Sequence, residues 1–292
     1  MLLGILFGLA SAFIWATASL AIKAQSDRID TSSFNAFRMF VGTVFMLVLL
    51  PFSGGWTALT QVPPAAATVL AVSSVIGVAM GDTLYFWSMT KIGASRALPI
   101  SGAYPLFTWA LAITLLGETI TLEAMLGTVL VLAGVYLISP RVGSVSRSDA
   151  RTDRIGIIAA LAAAALWAIA TMLLKVGLQE GTPVVIVNLI RLPVAALATA
   201  LFTHRQFGLR VWRGYNWKSL PMLVLLAIYS TGIGMIVWTL TVDYAGAARA
   251  SLINTAAPLI GVPLSALFLK ERVTAKIAVG TLLSVVGIWM IL

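Results

Sequence analysis

Part of this chain occurs twice. Gly93, Arg96, Ala97, Ile100, Pro105 and Glu118 are answered by Gly246, Arg249, Ala250, Ile253, Pro258 and Glu271, each 153 residues further on. The same offset carries Gly127, Thr128, Leu130 and Gly134 onto Gly280, Thr281, Leu283 and Gly287. Nearer the N-terminus the offset is 152, and Trp15 and Lys23 correspond to Trp167 and Lys175. Self-similarity at about half the length of 292 residues means a duplicated unit. Each copy is strongly apolar, and apolar duplicated halves are an architecture of membrane transporters.

Lipid is the solvent such a unit needs. The chain is 60% hydrophobic and 10% charged, where a soluble protein carries about 25% charged residues. A bilayer core about 30 Å thick takes about 20 apolar residues per helix. Ten such spans are read near 2–24, 34–53, 65–90, 95–116, 121–139, 155–177, 184–203, 218–243, 247–269 and 274–292. The spans at 65–90 and 218–243 are long enough to tilt or bend. The apolar run at 2–22 has no basic residue ahead of it. It exceeds a signal-peptide core of about 7–15 residues, so a retained helix is expected. The fold expected is an all-α polytopic membrane protein of two five-helix repeats, 1–139 and 155–292, joined by a basic linker at 140–154.

Five spans per repeat is an odd number, so the second copy must enter the membrane inverted. Loop charges agree. The loop at 51–64 has no Lys or Arg, whereas its counterpart holds Arg205, Arg210, Arg213 and Lys218. The turn with Glu118 and Glu123 has no basic residue, whereas its counterpart holds Lys270, Arg272 and Lys276. Fifteen of the nineteen Lys and Arg residues fall on the face reached after odd-numbered spans. The positive-inside rule places that face in the cytoplasm and both termini on the periplasmic side. A nucleic-acid role is a poor explanation for basic residues confined to the loops of a membrane protein.

Several features together resemble the drug/metabolite transporter superfamily, in its ten-helix EamA-type branch. They are the Trp of each first helix (Trp15, Trp167), the Arg early in each second (Arg38, Arg191), and the Gly-Ala-x-Arg-Ala opening of each fourth with its later proline (Pro105, Pro258). The Glu closing each fourth helix and the paired glycines of each fifth complete the set. The resemblance covers nearly the whole chain and is nearest to bacterial amino-acid exporters, including the aromatic type. It implies export of small metabolites across the bacterial inner membrane. More distant relatives carry nucleotide sugars or phosphorylated sugars. Many relatives are thought to keep both termini in the cytoplasm, whereas the charge count here argues the reverse.

Depth selects the candidate residues. Asp82 is the one acidic residue well inside a span, and an intramembrane ionisable group is a functional candidate because it is costly. Arg38 lies at a similar depth, so the two form a candidate ion pair across the second and third helices. That pair either holds packing or contributes a proton or substrate site. Arg191 has no acid at matching depth. Asn188 and Pro193 flank it, so a kink there would offer backbone carbonyls. Its side chain is a candidate contact for a substrate carboxylate, or could instead snorkel to the interface. Trp15, Tyr85, Tyr104, Trp167 and Trp238 fall near the midplane, where aromatic residues are less usual than at the interfaces. They suit a pocket for an amphipathic organic molecule, with ordinary packing as the other reading. Ser101 and Asn254 correspond in the two fourth helices and could contact substrate or a neighbouring helix. Pro105 and Pro258 are candidate hinges. The stripe Gly127 and Gly134 suits close helix packing, and the single histidine, His204, falls in a basic loop.

These residues exclude more than they identify. There is no cysteine, hence no disulfide, thiolate nucleophile or Cys-bound metal. No GxxxxGK[ST] or HExxH motif occurs, an intramembrane aspartyl protease would need a second acid, and no cofactor is implied. The reading is a secondary transporter working by alternating access, not an enzyme. Its substrate would bind between helices one, three and four and their partners six, eight and nine. Amino acids lead, and nucleosides, sugars and organic acids are the alternatives. A membrane scaffold without transport would need no midplane constellation. The oligomeric state is not legible.

Overall fold

A computed structural model describes residues 2–116, 122–138, 147–178, 181–208 and 215–291. Among these residues every regular element is helical. The first passage is α1 (Leu2–Gln25), and the second is α2 (Thr31–Leu49), which tightens into a 3-10 turn at Leu50–Ser53. A short surface helix, α3 (Gly55–Thr60), comes next. The third passage joins α4 (Pro64–Ser74), a π-helical segment (Val75–Gly81) and α5 (Asp82–Ile92). The fourth is split into α6 (Ala94–Ser101) and α7 (Tyr104–Leu116), and the fifth is α8 (Leu122–Ile138).

The second repeat has the same plan. The sixth and seventh passages are α9 (Arg147–Gly177) and α10 (Val184–Phe207). The eighth joins α11 (Leu220–Ala227), a second π-helical segment (Ile228–Ile233) and α12 (Gly234–Ala245). The ninth is split into α13 (Ala247–Asn254) and α14 (Ala257–Phe268), and the tenth is α15 (Ala275–Ile291). The protein is thus an all-α integral membrane protein. Among the described residues, six passages are long and apolar enough to cross a bilayer.

Local chemistry accounts for the element ends. Asp30 caps α2 by accepting from the Ser32 and Ser33 amides, both at 2.9 Å, which satisfies donors that the helix leaves open. Gly93 and Gly246 turn the chain from the third to the fourth passage and from the eighth to the ninth with φ of 79° and 80°, a region other residues avoid. The breaks after Ser101 and Asn254 have one cause. Pro105 and Pro258 have no amide to donate to those carbonyls four residues earlier, and each ring crowds them.

The repeats are interleaved. α2 packs on α10, α8 on α15, α5 on α9 and α1 on α12. The fifth and tenth helices meet backbone to backbone: a Cβ at Gly134 would lie 2.4 Å from the Gly280 carbonyl oxygen, and one at Gly287 would lie 2.5 Å from that of Gly127. Small residues permit this approach.

Some expectations fall differently. The basic stretch at 140–154 is helical from Arg147 onward, continuous with α9, and its earlier part lies outside the described residues. His204 is in the last turn of α10 instead of a loop. Pro193 sits inside an uninterrupted α10. Glu118, Arg210 and Arg213 lie outside the described residues.

Candidate functional site

Both second helices carry an Asn-x-x-Arg motif, and it organises the site. In α2, Asn35 Nδ2 donates to the Val78 carbonyl at 3.1 Å and to Thr83 Oγ1 at 2.8 Å, while its Oδ1 accepts from Arg38 Nε at 2.9 Å. In α10, Asn188 Nδ2 donates to the Met235 carbonyl at 3.3 Å and to Thr239 Oγ1 at 3.0 Å, while its Oδ1 accepts from Arg191 Nη1 at 3.4 Å. Each asparagine therefore ties itself to the third helix of its own repeat at or beside the π segment, where α-helical pairing is disrupted, and aims the arginine. Each arginine then reaches into the other repeat. Arg38 Nη1 donates to Thr231 Oγ1 at 3.2 Å, and Arg191 Nε donates to Ser73 Oγ at 3.2 Å.

Here the symmetry stops. Arg38 Nη2 is ion-paired with Asp82 Oδ2. The residue 153 positions after Asp82 is Met235, so the second repeat has a thioether where the first has the carboxylate that pairs with Arg38. Trp167 Nε1 donates to Asp82 Oδ1 at 2.8 Å, engaging the second oxygen. Gly81 makes that bond possible, since a Cβ there would lie 2.9 Å from Trp167 Nε1. The Arg38 guanidinium also stacks 4.9 Å over the Phe86 ring, a favourable cation–π contact.

Aromatic rings continue the site. Trp15 and Trp167 touch edge to face at 5.3 Å. Tyr85 stacks on Trp15 at 5.7 Å, and Tyr104 meets Trp167 edge-on at 6.2 Å. Beside them is a cavity between the two repeats, the kind of concave space in which small-molecule sites occur. Trp15, Asp82, Tyr104, Trp167, Arg191, Trp238 and Asn254 all line it. Two sequence candidates do not reach it. Tyr85 is wholly buried behind Trp15, and the Ser101 hydroxyl donates to the Ala97 carbonyl at 2.7 Å within its own helix.

The structure adds and corrects. Arg191, read from sequence as lacking an acid at its depth, lines the same cavity as Asp82, with the two outside ion-pair distance. Ser11, Thr171, Ser230 and Met235 also line the cavity. None stood out in the sequence. Asn35 is likewise missed, although its 153-residue spacing from Asn188 is a visible signal. The Tyr104 hydroxyl, Ser230 hydroxyl and Asn254 Oδ1 are buried without a partner among the described residues. Asn254 is the last residue of α13 and Tyr104 the first of α7, so the broken helices present side chains to the cavity.

The end of the bundle bearing Lys23, Lys91 and Arg96 is closed. An apolar cluster including Leu20, Phe34, Phe86, Met89, Ile92 and Leu98 packs there. Glu271, from the second repeat, accepts from the Ala94 and Ser95 amides at 2.8 and 2.7 Å, capping α6 of the first. Arg96 pairs with Asp153 at 3.2 Å.

Comparison with known proteins agrees with this architecture. The model of the EamA-like transporter family matches residues 2–139 and again 154–292. An uncharacterized transporter of Archaeoglobus fulgidus is 26% identical over 293 residues, covering 100% of this chain and 98% of its own. The uncharacterized transporter YyaM of Bacillus subtilis is 24% identical over 252 residues, covering 86% and 80%. One solved crystal structure superimposes with a TM-score of 0.69 over 98% of this chain and 95% of its own, at 21% identity, a likeness of fold. The chain belongs to the EamA-like transporter family.

Proposed function

We propose that this protein is a secondary transporter that exports small carboxylate-bearing metabolites, amino acids first among them, by alternating access. The observation that carries the reading is the cavity itself. It lies between two interleaved repeats and is lined by both first-helix tryptophans and by a buried arginine that, among the described residues, has no carboxylate at ion-pair distance. Ring faces suit an apolar body and Arg191 suits a carboxylate. Asp82, Tyr104, Trp238 and Asn254 complete the proposed wall, and Pro105 and Pro258 serve as hinges. Rocking of one bundle against the other would break the Glu271 contact with α6 and open the closed end.

In this reading the basic loops are cytoplasmic, both termini are periplasmic, and the membrane is a bacterial inner membrane. The test is counterflow in proteoliposomes. Protein is reconstituted with one unlabelled amino acid inside, and uptake of the labelled compound is measured with and without a pH gradient. Saturable counterflow is expected. Its absence from folded protein for every amino acid tried would overturn the amino-acid reading and turn the search to nucleosides, sugars and organic acids.

A further inference from the structure

The charged side chains buried among the described residues are Arg38, Asp82 and Arg191, at 1%, 5% and 2% exposure. Two cations stand against one anion, so the site carries a net charge of +1. The duplication explains the imbalance: Arg38 and Arg191 correspond, whereas Asp82 corresponds to Met235. Arg191 is held by neutral groups, Ser73 Oγ at 3.2 Å and Asn188 Oδ1 at 3.4 Å. Among the described residues it has no carboxylate within 4.0 Å. Arginine does not shed its charge in proteins, and an unpaired cation inside a membrane is costly. Asp82 stands outside ion-pair distance of Arg191, and its two oxygens accept from Arg38 and Trp167.

From this we infer that the cavity selects an organic monoanion over a zwitterion of the same shape. The inference rests on the transport reading of the cavity and revises its substrate ranking, placing carboxylates without a free amine ahead of zwitterionic amino acids. A carboxylate against the Arg191 guanidinium makes charge-assisted hydrogen bonds and brings the buried net charge to zero. The apolar body lies against Trp15, Trp167 and Trp238. The unpartnered Tyr104 and Ser230 hydroxyls and Asn254 Oδ1 take a neutral polar group such as an amide or hydroxyl. A zwitterion brings an ammonium that finds no free carboxylate, and leaves the charge uncancelled.

Four probes on one skeleton separate charge from shape: N-acetylphenylalanine (anion), phenylalanine (zwitterion), phenylalaninamide (cation) and N-acetylphenylalaninamide (neutral). Three tryptophans line the cavity, so intrinsic fluorescence of the purified protein reports binding. N-acetylphenylalanine is expected to bind roughly tenfold or more tighter than phenylalanine, as one satisfied charge pair warrants. Arg191→Gln should abolish that preference and Arg191→Lys should retain part of it. Met235→Asp supplies the missing acid and should also abolish it, which keeps the test open if Arg191→Gln fails to fold. Phenylalanine binding as tightly as N-acetylphenylalanine would overturn the inference. So would an anion preference that survives Met235→Asp, or no saturable signal from the anion with folded protein. Counterflow of phenylalanine without any anion preference would remove the monoanion and leave the transporter reading standing.

Discussion

Asp82 shows what one side chain holds together. It joins α5 to Arg38 of α2 and to Trp167 of α9, and so links the two repeats. Removing one partner of a buried pair strands the other charge, whereas removing both with well-packed apolar residues strands nothing. Asp82→Ala should therefore destabilise the purified protein by about 3–5 kcal/mol, seen as a lower apparent unfolding temperature. The double variant Arg38→Met with Asp82→Leu should unfold closer to the original temperature. If the double variant were the less stable, the pair would be doing more than neutralising itself. The candidates Tyr85 and Ser101 teach a different lesson. Both are buried inside their helices, yet one is packed behind Trp15 and the other bonds to its own helix.

At the scale of elements, the recurring devices are the π segments and the proline breaks, each present once per repeat. Pro105 and Pro258 each deprive a carbonyl of its helical donor, and the breaks sit where Tyr104 and Asn254 face the cavity. Pro258→Ala restores the amide, and the ninth passage should straighten. The expected outcome is slower counterflow with little change in the affinity of the bound probe. Equal losses of rate and affinity would mean that the proline shapes the site instead of its movement. The prolines were legible in the sequence. The π segments were not, because no residue type marks them.

At the scale of the whole molecule, interleaving decides what the halves can do. Glu271 of the second repeat caps α6 of the first, and each arginine of the second helices hydrogen-bonds into the opposite repeat. Neither repeat closes a cavity alone. Orientation can be tested because the chain has no cysteine of its own. Asp27→Cys, ahead of α2, and Thr60→Cys, at the end of α3, place single exposed thiols on the two flanks of the second passage. An impermeant maleimide added to intact cells should label the second and spare the first. The reverse pattern would place the basic loops outside.

The sequence by itself determined the helical class and the duplicated ten-passage plan, and it set the expected depth of Arg38, Asp82 and Arg191. Lipid imposes these directly: it demands about 20 apolar residues per crossing, penalises every buried charge and biases the loops. Depth comes from counting residues at about 1.5 Å each. The facing of each side chain does not, because azimuth depends on which helices touch. A π segment adds a residue to the turn and rotates the remainder of the helix by about 100°. Only the tertiary structure could therefore bring Arg191 and Met235 to one cavity, set Trp15 against Trp167, and carry Glu271 to the amides of Ala94 and Ser95.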